Sequence, residues 1–293
     1  MLRIILFMAT NLAIIAIASV VFQLLGLNQY LAETGFGSQS MLMLCFVFGM
    51  GGSFISLLIS KWMAKRSMRV QIIDNPHNSG EQWLVSTVKE LADKAGIGMP
   101  EVGIFQSSAP NAFATGWNKN DALVAVSTGL LQRMDKEEVK AVLGHEIGHV
   151  ANGDMVTLAL IQGVVNTFVI FFARIIGSFV DRVVFKNERG GGVGFFIATM
   201  VAQVILGILA STIVAWFSRR REFRADQAGA ELVSPAAMAS ALMRLKETYD
   251  QPSELNGELV AFGIRGEGKF SQLFSTHPPL DVRIQALKDR YQG

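Results

Sequence analysis

The chain has 293 residues, of which 51% are hydrophobic and 17% charged, with a formal net charge of +2. Soluble domains carry about 25% charged residues, so much of this chain needs apolar surroundings, which a bilayer supplies. The small net charge argues against a nucleic-acid binder, and a single cysteine, Cys45, excludes an intrachain disulfide.

Four stretches are apolar over the about 20 residues a helix needs to cross a hydrocarbon core. They lie at residues 4–25, 41–60, 155–180 and 195–217. Arg3 precedes the first as in a signal peptide, but the apolar run is too long and no small-residue cleavage site closes it, so a retained span is expected. The second contains Gly49, Gly51, Gly52, Ser53 and Ser56, small residues that let membrane helices approach closely, and pairs with the first as a hairpin over residues 1–60. Gln162, Asn166 and Arg174 interrupt the third stretch, and Thr199, Gln203 and Ser211 the fourth. Polar groups at that depth face other helices or a water-filled cavity. The expectation is a second hairpin over 155–217, the alternative being a pair that only lies on or dips into the membrane.

The loop at 26–40 has no lysine or arginine, whereas Lys61, Lys65, Arg66 and Arg69 follow the second stretch and Arg219, Arg220 and Arg221 the fourth. By the positive-inside rule those flanks are cytoplasmic, although Arg182, Lys186 and Arg189 after the third stretch run against the pattern.

Residues 61–154 and 218–293 then form the soluble part, of α+β character. Residues 81–95 carry apolar positions at helical spacing and stop at Gly96, while 102–105 and 123–126 are short β-rich runs between turn residues. Ser234-Pro235 marks a helix start, and the glycines over 263–268 a loop. His77, after Asn75-Pro76, reads as a turn residue without a functional role.

The chemistry concentrates at 135–150. Asp135 with Glu138 three residues on is a capping-box pattern, and Val139, Val142, Leu143, Ile147 and Val150 recur at helical spacing. That phase puts His145 and His149 one turn apart on a common face, as two imidazoles binding one metal ion require, with Glu146 placed to act on a water at the metal. Gly144 and Gly148 weaken a helix interior, which points to close packing there. A catalytic zinc site takes three protein ligands. On the spacing alone Glu222 and Glu231 both qualify as the third; Asp226, one turn beyond Glu222, suits an acceptor for a ligand imidazole N–H.

H-E-I-G-H at 145–149, E-F-R-A-D at 222–226, N-A-F-A-T-G at 111–116 and S-T-H-P-P at 275–279 resemble the HtpX-type membrane proteases. These are bacterial relatives of the CAAX prenyl proteases among the gluzincins, and the similarity runs over nearly the whole chain. It implies a mainly α membrane protein: two transmembrane hairpins and a cytoplasmic α+β zincin-like catalytic domain. It implies one Zn2+ per chain on His145, His149 and Glu222, with Glu146 as general base and His277 stabilising the oxyanion. Asn111, Ala112, Phe113 and Ala114 would form the edge strand that receives a substrate backbone, although the residues themselves fit a turn leading into a core strand equally well. The partners implied are the bilayer and unfolded polypeptides or membrane-protein segments, in inner-membrane quality control and stress response. A channel, transporter or scaffold with a non-catalytic metal is the competing reading; it leaves Glu146 beside His145 without a purpose.

Overall fold

The computed structural model describes residues 38–187, 191–250 and 275–291; the first apolar stretch and the loop expected at 263–268 lie outside them. Among these residues the chain forms α1 (Ser38–Ser67), β1 (Gln71–Ile72), α2 (Ser79–Ala95), β2 (Glu101–Phe105), β3 (Ala112–Asn118), β4 (Asp121–Ser127), α3 (Thr128–Arg133), α4 (Lys136–Ala151), α5 (Asp154–Val183), α6 (Val193–Leu232), α7 (Pro235–Asp250) and α8 (Leu280–Tyr291). They fall into two compact units, one drawn from Met1–Ser56 and Ala159–Val214, the other from Leu57–Leu158 and Ala215–Gly293.

Among the described residues three helices are long and apolar enough to cross a membrane, over Met41–Ser67, Asp154–Val183 and Val193–Leu232. The first unit is built from these helices and reverses the usual distribution of side chains. Ser53, Gln162, Thr167, Thr199 and Gln203 are buried, while Phe46, Val47, Phe168, Phe172, Ile205 and Leu209 are exposed. Lipid as the solvent favours this arrangement, because a polar side chain facing hydrocarbon is costly. Gln162 Nε2 accordingly donates to Asn166 Oδ1 at 2.8 Å. Helices α1 and α5 meet at Gly49, where a Cβ would stand 2.6 Å from the Thr167 backbone nitrogen. The small residues of the second apolar stretch thus serve a close helix contact.

The second unit holds a four-stranded sheet of order β1-β2-β4-β3. β2 and β4 are parallel, and the outer pairs β1/β2 and β3/β4 are antiparallel. β4 is central, so Leu123, Val124, Ala125 and Val126 are all buried and read as an unbroken apolar run. The core joins Val102, Val124 and Val126 of the sheet to Leu84, Val88 and Leu91 of α2 and to Val139, Val142, Leu143 and Ile147 of α4. Helix α2 begins two residues before its apolar pattern because Asn78 caps it, accepting from Glu81 N, and Gly96 ends it with φ 65°. Ser234 Oγ accepts from Ala237 N at the start of α7.

Helix α4 opens with the capping box read from the sequence: Asp135 accepts from Glu138 N at 2.9 Å, and Glu138 Oε2 accepts from Asp135 N at 3.1 Å. Its glycines lie where α6 crosses. A Cβ on Gly148 would stand 2.5 Å from the Ala228 Cβ, and one on Gly144 3.2 Å from the Gly229 Cα. Neither obstacle is a flexible side-chain end, so the helices must separate to admit a methyl group. Gly148→Ala is expected to cost about 1–3 kcal/mol as overpacking, and to lower metal affinity because α4 and α6 carry the donors described below. Gly51→Ala, with nothing within 4 Å, is the tolerated control. Thermal unfolding and metal content measure both effects; a Gly148→Ala protein as stable as Gly51→Ala would refute the close crossing.

Candidate metal centre

α4 presents His145 and His149, and α6 brings Glu222 to them. One donor atom from each lies within 4.8 Å of the other two. His149 Nε2 is 3.3 Å from Glu222 Oε1, and His145 Nε2 is 3.7 Å from Glu222 Oε2. The imidazole rings stand edge to face, with centroids 4.7 Å apart. Glu231, the other carboxylate open from the sequence, is exposed and accepts instead from Gln227 Nε2 at 2.6 Å.

Each imidazole is fixed through its other nitrogen. His145 Nδ1 is 2.9 Å from Asp226 Oδ1, and His149 Nδ1 is 2.7 Å from Asp154 Oδ2. A carboxylate accepting from Nδ1–H leaves the Nε2 lone pair as the metal-binding atom and turns the ring toward it. Two such lone pairs beside one carboxylate are the nitrogen and oxygen donors that divalent zinc takes. Ligands at about 2.0–2.1 Å in a tetrahedron lie about 3.3 Å apart, and the 3.3 Å between His149 Nε2 and Glu222 Oε1 matches this, while the 3.7 Å from His145 Nε2 to Glu222 Oε2 is slightly wider.

Arg283 of α8 binds the acids together. It is buried, its Nε donates to Asp226 Oδ2 at 2.8 Å, and its Nη1 lies 3.2 Å from Glu222 Oε2. Burial opposes its charge, but Asp226 and Glu222 more than compensate and raise its pKa further. Asp154, wholly buried, also accepts from Arg224 Nη2 at 3.4 Å, while its carbonyl accepts from Arg221 Nη1 at 3.2 Å. Neither residue belongs to a motif visible in the sequence. Arg283 had a signal: with Leu280, Ile284 and Leu287 it occupies the apolar face of a short helix. Asp154 had a weaker one, as the acid that opens an apolar run.

Glu146 is half-buried beside the donors, and its charge favours the protonated His149 and Arg283. His277 Nδ1 is 2.8 Å from Glu222 Oε2, its side chain 52% exposed. Asn111 precedes β3, with its backbone N–H donated to Ser127 Oγ at 2.9 Å. Ala112, Phe113 and Ala114 open β3, the last strand of the sheet, which runs beside α4. His77 stands apart, its backbone N–H donated to Glu81.

Burial lowers the affinity of His149 for a proton, but the hydrogen bonds to Asp154 and Glu222 outweigh it and hold the pKa at about 9. In the metal-free protein this raised value contributes stability that is complete below the ordinary value of 6.5 and lost as pH rises through about 9. The same proton competes with a metal ion. Metal affinity is therefore expected to climb about tenfold per pH unit below about 9 and then level off, as a competition titration would show. An affinity flat from neutral pH upward would contradict this.

Two helical imidazoles with a glutamate between them, completed by a carboxylate from a second helix, define a metallopeptidase centre. Residues 78–291 match peptidase family M48. The chain is 61% identical over 289 residues to Protease HtpX of Hahella chejuensis, covering 98% of this chain and 99% of that one. It is 59% identical over 294 residues to Protease HtpX of Pseudomonas putida KT2440, covering 99% and 100%. The crystal structure of S. mikatae Ste24p shares the fold with a TM-score of 0.61 at 18% identity, over 92% of this chain and 67% of that one. The chain belongs to peptidase family M48.

Proposed function

We propose that this chain is a membrane-integrated zinc endopeptidase that cleaves unfolded or damaged membrane proteins at the cytoplasmic face of the bacterial inner membrane. The observation that carries this reading is the convergence of His145 Nε2, His149 Nε2 and a Glu222 oxygen beside Glu146. The protein is a family M48 peptidase with membrane-capable helices, and relatives named Protease HtpX match it end to end.

His145, His149 and Glu222 would hold a zinc ion, which would supply the Lewis acidity that brings the pKa of a water down to about 7. Glu146 would take the proton from the attacking water and return it to the leaving amine. Asp226 and Asp154 hold the imidazoles in the binding tautomer, Arg283 keeps Asp226 charged, and His277, His149 and Arg283 together keep Glu222 charged. As an imidazolium, His277 donates Nδ1–H to Glu222 Oε2 and Nε2–H to the oxygen that gathers negative charge. β3 offers an extended backbone beside α4, with Asn111 at its entrance. Only an unfolded segment can lie along such a strand, which is why native globular proteins are excluded as substrates.

The basic residues after 41–60 and 195–217 support a cytoplasmic site by the positive-inside rule. Reconstituted with zinc, the chain is expected to cut an unfolded polypeptide and spare its native form. A reagent that does not cross membranes is expected to label Ala151→Cys from the cytoplasmic side, in a Cys45→Ser background. Equal cleavage of both forms, or labelling from the opposite side, would overturn the substrate or the sidedness respectively.

A further inference from the structure

Most basic side chains that follow the two apolar stretches of α1 and α6 are used by the protein itself. Lys61 pairs with Glu101 and Asp121, and Lys65 with Glu101. Arg219 Nη1 donates to the Ser275 carbonyl at 2.9 Å, while Arg221 and Arg224 bind Asp154. Arg66 and Arg220 differ. Both are exposed, and among the described residues neither guanidinium forms an ion pair. Each lies instead over the tryptophan one turn earlier on its own helix: Arg66 is 6.0 Å from the Trp62 ring centre and Arg220 is 4.1 Å from that of Trp216. The tryptophans are themselves 63% and 43% exposed.

Indole rings at the end of an apolar helix settle at the level of lipid headgroups. A guanidinium over the face of such a ring keeps its N–H donors available for a phosphate. A zwitterionic headgroup carries its own ammonium, which already balances its phosphate, so an unneutralised arginine is matched only by a lipid of net negative charge. We infer that Trp62 with Arg66 and Trp216 with Arg220 form two headgroup sites for anionic glycerophospholipids. This rests on the reading of α1 and α6 as membrane spans.

The test uses the full chain in vesicles of unlabelled phosphatidylcholine, to which acyl-brominated phosphatidylglycerol or acyl-brominated phosphatidylcholine is added at equal mole fraction. Bromine quenches tryptophan fluorescence on contact, so the ratio of the two quenching curves reports lipid preference at the interfacial indoles. Wild type is expected to prefer phosphatidylglycerol, by about fivefold for each arginine. Arg66→Gln with Arg220→Gln brings the ratio near one, while Arg69→Gln, exposed but not seated on a ring, leaves it unchanged. Retained zinc content confirms that each variant is folded. A wild-type ratio of one, an unchanged ratio in the double variant, or an equal loss in Arg69→Gln would overturn the inference. No quenching by either lipid would overturn the membrane reading beneath it.

Discussion

Glu146→Gln is expected to bind metal like the wild type and to lose about 10²–10⁴-fold in peptide-bond hydrolysis, the contribution typical of a positioned general base. The amide matches the carboxylate in shape, so α4 and its two imidazoles keep their positions. It does not accept the proton that the attacking water must shed. Glu146 is also absent from the donor set formed by His145, His149 and Glu222, so its replacement leaves that set intact. Metal content by elemental analysis, read beside a single-turnover cleavage rate, separates the two effects. Undiminished cleavage would remove Glu146 from its role.

Glu222→Ala is expected to lose both metal and activity, and stability with them. The carboxylate is 1% exposed and faces both imidazoles, His277 and Arg283. Its removal takes away the single carboxylate among the three donors and strips Arg283 of one of its two acidic partners, and breaking a buried ion pair costs about 3–5 kcal/mol. Glu222→Gln, which keeps the volume, separates donor loss from collapse of the fold. Asp226→Asn acts one step removed: it weakens the acceptor that orients His145, with a loss of about 10–100-fold in metal affinity. Zinc competition assays rank the three variants. If Glu222→Ala binds zinc as tightly as wild type, the third ligand lies elsewhere and Glu231 is the next residue to test.

What the sequence made legible is what depends on neighbours along the chain. The capping box at Asp135, the phase of α4, the stop of α2 at Gly96 and the close approach at Gly144 and Gly148 all follow from spacings of one to four residues. The Asp226 contact with His145 was reachable because helical spacing puts Asp226 on the same face as Glu222. Arg283 was not reachable in this way. Its role comes from Asp226, 57 residues away in the chain, and periodicity marks it as misplaced on an apolar face without naming its partner. The β3 segment was ambiguous for a similar reason. Asn-Ala-Phe-Ala fits a turn or a core strand equally well, and its position at the sheet edge is set by β4 pairing with β2 on its other side. Two-residue β1 is too short to carry any alternation. Helix α6 runs from Val193 to Leu232, well past the apolar limit at Phe217.

A zinc ion held by His145, His149 and Glu222 is expected to make this chain a peptidase. The most direct measurement follows cleavage of an unfolded polypeptide by the purified full chain together with its zinc content, through removal of the metal by a chelator and its return. The expected result is one zinc per chain, cleavage that disappears with the metal, and cleavage that returns when zinc is restored. Cleavage that persists in the metal-free chain, or a zinc-loaded chain that leaves the polypeptide intact, would contradict it.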